Sequence, residues 1–201
     1  EPERGLHLRG NLFKYHAACY GTHAAIEAAR HLRERHGLTA DDVRRVVVHA
    51  SAASDGVCNI GEPQTGLEAK FSLRQTVAMA LTGADTAALA SFSDETTADP
   101  ALRRMRERVH VELHAECASL TQAEVVVETT DGAVLRRRHD SGLPATDLSL
   151  QRRRLEQKFR AMVTPVLGAD GCSALLGLVG RLEELPDLSP LAGVLAGRPL
   201  H

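Results

Sequence analysis

Excess charge, paired cysteines and long apolar runs are all scarce in this 201-residue sequence. Its 24 basic residues against 26 acidic ones leave a formal net charge of -2, so no global basic field points to nucleic acid. The arginine clusters Arg136–Arg138 and Arg152–Arg154 read as a solvated strand edge and a solvated helix face. Four cysteines (Cys19, Cys58, Cys117, Cys172) are scattered without a C-x-x-C pair. That argues against a zinc site or a disulfide framework and suits a reducing compartment. No apolar run approaches the roughly 20 residues of a membrane span, and no signal-peptide h-region opens the chain. A cytoplasmic protein with no membrane partner is therefore expected. The first residue is Glu1 rather than Met, as expected of a portion of a longer protein. Repeats and low-complexity tracts are missing too.

What is present is ordinary for a globular chain: 43% hydrophobic and 25% charged residues, enough for one domain with a real core plus a helical appendage. Thr22 to Arg35 reads as a helix, with Ala25, Ile26, Ala29 and Leu32 on one face, Thr22 to cap it and Gly37 to stop it. Val43 to Ser51 is β-branched and short, hence a strand. The next twenty residues read as a long loop, and long loops inside a domain are disproportionately functional. Ser72 opens a second helix through the capping box "SLRQ", with the apolar stripe Leu73, Val77, Ala80, Leu81 and Ala84. A short helix over Pro100 to Glu107 precedes the strand candidate Val109 to Leu113. Glu124 to Thr129 and Val134 to Arg138 form the clearest hairpin, about Asp131-Gly132. From about residue 146 only helices follow. The expectation is α+β over 1–145, a mainly antiparallel sheet covered by helices, and an all-helical tail over 146–201.

The chemistry-bearing residues concentrate in "KYHAACYGTHAAIEAA", Lys14 to Ala29. Both early helices have a lysine just upstream: Lys14 before Thr22, and Lys70 before Ser72. A helix N-terminus attracts anions through its free N–H groups, and a lysine alongside sharpens that preference. Brought together, with both ammonium groups in one concave region, the two starts would hold a molecule with two or more carboxylates. The alternative is that Thr22, Ser72 and Gln75 only cap while both lysines are solvated. No G-x-x-x-x-G-K or G-x-G-x-x-G loop is present, so carboxylate is favoured over phosphate. His16, Cys19 and His23 offer acid–base candidates. No Asp or Glu lies between Gly10 and Glu27 to orient an imidazole, and the spacing is unusual for a metal. The other histidines read as surface or structural.

Three stretches in order carry a resemblance to a known family. "FKYHAACYGTHAAIEAA", "EPQTGLEAKFSLRQTVAMALTG" and "DGAVLRRRHDSGLPATDLSLQRRRLEQKF" resemble the opening segment, the Lys-Phe-Ser loop and helix, and the closing hairpin and linker of the 2-methylcitrate dehydratase and cis-aconitate decarboxylase family (MmgE/PrpD). The resemblance implies the second part of a two-domain enzyme. A helical N-terminal domain of the same protein would be its partner, and the active site would lie between the domains. It further implies a homodimer, small di- or tricarboxylate substrates, and no metal or organic cofactor. By position, Lys14 matches a cleft lysine, Thr22 and His23 the Thr-His pair, and Lys70 and Ser72 the Lys-Phe-Ser motif. Cys19 stands where cis-aconitate decarboxylases place an active-site histidine, and Gln75 where a tyrosine is frequent. Both departures change acid–base capacity and argue against a cis-aconitate decarboxylase. On this reading Lys14, Cys19 and His23 are catalytic, and Thr22, Lys70, Ser72 and Gln75 bind substrate. A 2-methylcitrate dehydratase-like lyase is the first expectation, and this portion alone is expected to be inactive. An epimerase of an imino- or amino-dicarboxylate and a non-catalytic acid-binding or dimerisation module are the alternatives.

Overall fold

A computed structural model describes residues 10–117 and 119–197. The chain forms two compact units that divide between Thr146 and Asp147.

In the first unit, helix α1 (His23–His36) precedes strand β1 (Val43–Ser51), then α2 (Leu73–Thr82) and α3 (Pro100–Glu107). Strands β2 (Val109–His114), β3 (Gln122–Thr129) and β4 (Val134–Asp140) follow. Gly37, at φ 64°, ends α1, a backbone conformation that only glycine adopts without strain. One sheet of order β2-β1-β3-β4 results, with β1 central. β3 pairs antiparallel with both β1 and β4, whereas β2 runs parallel to β1. The sheet is therefore mixed, with two of its three pairings antiparallel. The parallel pairing follows from the connection: α2 and α3 stand between β1 and β2 and carry the chain back to the end from which β1 started.

Alternation divides the sheet into two unlike faces. Val46, Val48 and Ala50 of β1, Val109 of β2, and Ala123, Val125 and Val127 of β3 join the helices in one apolar core. The other face carries Val47, Val126 and the exposed Val134, and is otherwise dominated by polar residues: His49, His110, Glu112, His114, Glu124, Glu128, Arg136 and Arg138. All four apolar positions read for α1 are buried, but so are Ala24 and Ala28. Alanine lets α1 approach both the sheet and α2, so it is enclosed on more than one side. Full burial of Ile26 and Leu32 contributes about 2 kcal/mol each.

The long loop after β1 holds more structure than expected. It contains a one-turn helix, Gly66–Ala69, with a complete capping box from Thr65 and Glu68. The second unit is helical: α4 (Leu148–Gly180) and α5 (Ser189–Leu195), joined through Leu175, Leu178 and Val194. Contrary to the reading of short apolar runs, α4 has an 18-residue window of mean hydropathy 1.6, enough by length and composition alone for a membrane span. It is not one straight rod. Gly168, at φ 72° and ψ 172°, breaks it three residues after Pro165.

Candidate active site

Two loops meet where α1 and α2 begin. The Cys19 N–H donates to the Lys70 carbonyl (2.9 Å), and Asn59 pairs with Ser72 in a short antiparallel bridge. The backbone thus joins the lead-in of one helix to that of the other.

The side chains divide into two groups. Lys14 is exposed, and its Nζ lies 3.5 Å from the Ala18 carbonyl, which accepts from it. Lys70 is half-buried, its Nζ 6.0 Å from the centre of the Phe92 ring. Cys19 is half-buried beside them. Thr22, Ser72 and Gln75, by contrast, are all 0% exposed and committed to the fold. Thr22 does not cap α1. A 3-10 turn over Tyr20–Thr22 runs straight into the helix, so the Thr22 hydroxyl donates backwards to the Cys19 carbonyl at 2.8 Å. Ser72 does cap α2, accepting from the Gln75 N–H at 3.2 Å while donating to the Ile60 carbonyl at 2.6 Å. The reciprocal half of that box is not formed: the Gln75 Oε1 accepts from Arg106 Nη1 at 2.8 Å instead, and among the described residues its buried Nε2 has no partner. Of the four residues expected to bind substrate, Lys70 is the one that is not fully buried.

The histidines behind this rim form a buried chain. His16 offers Nδ1 to the Thr86 hydroxyl at 2.7 Å and Nε2 to Glu27 Oε1 at 2.9 Å. Nε2–H donating to Glu27 satisfies one contact, and Nδ1 can accept from the Thr86 hydroxyl or, once protonated, donate to it. Glu27 in turn accepts from Arg30 Nη2 at 2.9 Å. No carboxylate lies between Gly10 and Glu27 to orient an imidazole. The helix itself supplies one, since Glu27 is the acid on a run of otherwise apolar buried positions, which was the available signal.

His23 packs against the rings of His16 and Tyr20, each at 4.8 Å between centroids. Burial, reinforced by His16, pushes its pKa down to about 3, against a hydrogen bond to the Ala18 backbone that favours the charged form. His23 is therefore neutral at neutral pH, and its Nε2 has no hydrogen-bond partner among the described residues. At a pKa of about 3 its uncommitted nitrogen is a weak base, strengthened where a bound anion favours the imidazolium. Cys58 is of the opposite kind. Burial first, and the neighbouring Cys19, push its thiol up to about 12, so it is an inert core group.

Concavities also lie away from this rim. One of about 300 Å³ is lined by Glu62, Pro63, Gln64, Thr97, Ala98, Arg103 and Arg106, with both charge signs. It borders the Arg106–Gln75 pair, which sequence spacing could not reveal because the partners are 31 residues apart.

The MmgE/PrpD C-terminal domain profile matches residues 16–183. The chain belongs to the MmgE/PrpD family. Among curated proteins it is similar to human cis-aconitate decarboxylase, at 29% identity over 194 residues covering 92% of this chain and 40% of that protein. The mouse cis-aconitate decarboxylase is 27% identical over 194 residues, covering 92% of this chain and 39% of that protein. The chain thus spans about 40% of the length of the curated relatives it matches. Cys19, Thr22, His23, Lys70, Ser72 and Gln75 all fall inside the MmgE/PrpD match, and Lys14 stands two residues before it.

Proposed function

We propose that this chain is the α+β and C-terminal portion of a cofactor-independent cytoplasmic lyase of the 2-methylcitrate dehydratase type. It contributes cationic groups to a cleft completed by a helical domain of the same polypeptide. The observation that supports the reading most is the family match across 16–183, combined with relatives named as cis-aconitate decarboxylases over 92% of the chain. The reaction begins by removing a proton next to a carboxylate of a small di- or tricarboxylate. Lys14 and Lys70 lie on the two joined lead-ins and stabilise the negative charge that then develops. Loss of hydroxide from the adjacent carbon, protonated as it leaves, completes a dehydration. His23, packed on His16 and Tyr20, is the candidate proton acceptor, its basicity raised by the carboxylate that binds beside it. Cys19 cannot take the part of an imidazole at its position, which favours dehydration over decarboxylation.

The test is turnover of 2-methylcitrate, citrate and cis-aconitate by a polypeptide carrying both this chain and its helical domain. Loss of water from a tricarboxylate, diminished in K70Q and K14Q, is the expected result. Proton exchange without elimination would replace the lyase by an epimerase. Unchanged turnover in the K14Q/K70Q double variant would remove both lysines from the site. The 201 residues alone are expected to be inert, because proton abstraction needs a base and charge-stabilising donors held together around the substrate.

A further inference from the structure

On the polar face of the sheet, away from the helices, β1 and β2 place three ligating side chains together. His49 stands opposite Glu112 in the parallel register, and His114 lies two residues further along β2. His49 Nδ1 is 2.9 Å from His114 Nε2 and 3.4 Å from Glu112 Oε2. One ligand atom from each of the three residues fits within a span of 4.8 Å. We propose that His49, Glu112 and His114 bind a divalent transition-metal cation of the zinc type.

Four observations carry this. First, ligands of a tetrahedral ion at 2.0–2.1 Å lie about 3.3 Å from one another, and the two shortest separations here bracket that value. Second, two imidazoles with one carboxylate suit zinc and its neighbours and disfavour magnesium and calcium, which take oxygen. Third, the other nitrogen of His114, Nδ1, lies 3.6 Å from Glu116 Oε1. At that distance the carboxylate favours a proton on Nδ1 electrostatically, leaving the Nε2 lone pair for the ion, and a small side-chain shift would make it the hydrogen-bonded outer partner usual for a ligating imidazole. Fourth, the ligands stand on hydrogen-bonded strands rather than on a loop, so their spacing is set by the sheet.

The His49, His114 and Glu112 side chains are 28%, 35% and 49% exposed, so the site opens to solvent. It keeps a fourth position for water or an outside ligand, as three-ligand zinc sites do. β2 is an edge strand held in the sheet by β1 alone, and a bound cation would clip the two together.

The experiment is a calorimetric Zn2+ titration of the EDTA-stripped 201-residue chain, repeated with Co2+ to read the visible band of a tetrahedral site. The wild type is expected to take up one equivalent that H49A/H114A does not, and to melt at higher temperature with zinc while the double variant does not. H36A, altered far from the sheet on α1, should keep that equivalent. E112Q, at an exposed position that does not threaten folding, should weaken binding by more than the roughly tenfold that removal of an outer-shell partner such as Glu116 costs. Zinc binding of equal affinity and stoichiometry in wild type and H49A/H114A would overturn the proposal. So would an E112Q protein indistinguishable from wild type.

Discussion

His23 makes the folded state sensitive to acid, and the size of the effect can be worked out. Its pKa is about 3 in the folded protein, where burial and His16 oppose the charge, against an ordinary 6.5. The unfolded chain therefore takes the proton first. The stability this residue contributes is whole above about pH 6.5 and is lost as pH falls from there towards 3. Integrating the linkage relation between those two values gives a loss of about 3 kcal/mol between pH 7 and pH 4. Replacing His23 by Gln keeps a polar, uncharged group of similar reach and removes the titration. Urea unfolding at pH 7, 6, 5 and 4 should show wild-type stability falling by about 3 kcal/mol more than that of H23Q across the range. The difference between the two proteins isolates this residue among the ten histidines of the chain. Parallel curves, agreeing within about 0.5 kcal/mol, would mean that His23 is not held neutral by burial.

Three further outcomes follow from packing and burial. Gly66 is buried, and a Cβ added there would run into the Phe92 carbonyl, so G66A should cost about 3 kcal/mol and lower the melting temperature by roughly 6 °C or more. An unchanged melt would show that the loop yields freely. Arg106→Met removes the donor to the buried Gln75 Oε1 and should cost about 1–3 kcal/mol in urea unfolding; a neutral result would mean the pair adds nothing. Cys58, with its thiol near 12, should resist iodoacetamide at pH 8 in the folded protein while half-buried Cys19 is modified, with mass spectrometry of the peptides giving the order. Labelling of Cys58 ahead of Cys19 would contradict the burial argument.

Local signals made much of the fold legible. Ala25, Ile26, Ala29 and Leu32 mark the core face of α1, Gly37 its end, and alternating residues around Asp131-Gly132 the β3–β4 hairpin. The one-turn helix at Gly66–Ala69 differs from the loop expected there: Thr65 and Glu68 carry a capping-box spacing, but the glycines and proline around it read as loop. The parallel pairing of β2 was beyond sequence reading, because strand direction depends on where the crossover returns the chain. Site geometry was less accessible for the same reason. Gln75 carries a cap signature but turns to Arg106, and His16 finds its carboxylate on the helix face and its hydroxyl 70 residues away at Thr86. The pairing of His49 with His114 exists only through sheet register. Short-range chemistry specifies elements; long-range pairing decides which polar groups remain for function.

The central claim is that the joined lead-ins of α1 and α2 form a carboxylate-binding rim around Lys14 and Lys70. NMR titration of the isotopically labelled 201-residue chain with citrate and cis-aconitate tests it most directly. The account predicts chemical-shift changes concentrated at residues 14–23 and 70–72 that are weakened in K70Q. Perturbations centred instead on the Arg103–Arg106 cleft, or the same pattern undiminished in a K14Q/K70Q protein, would contradict it.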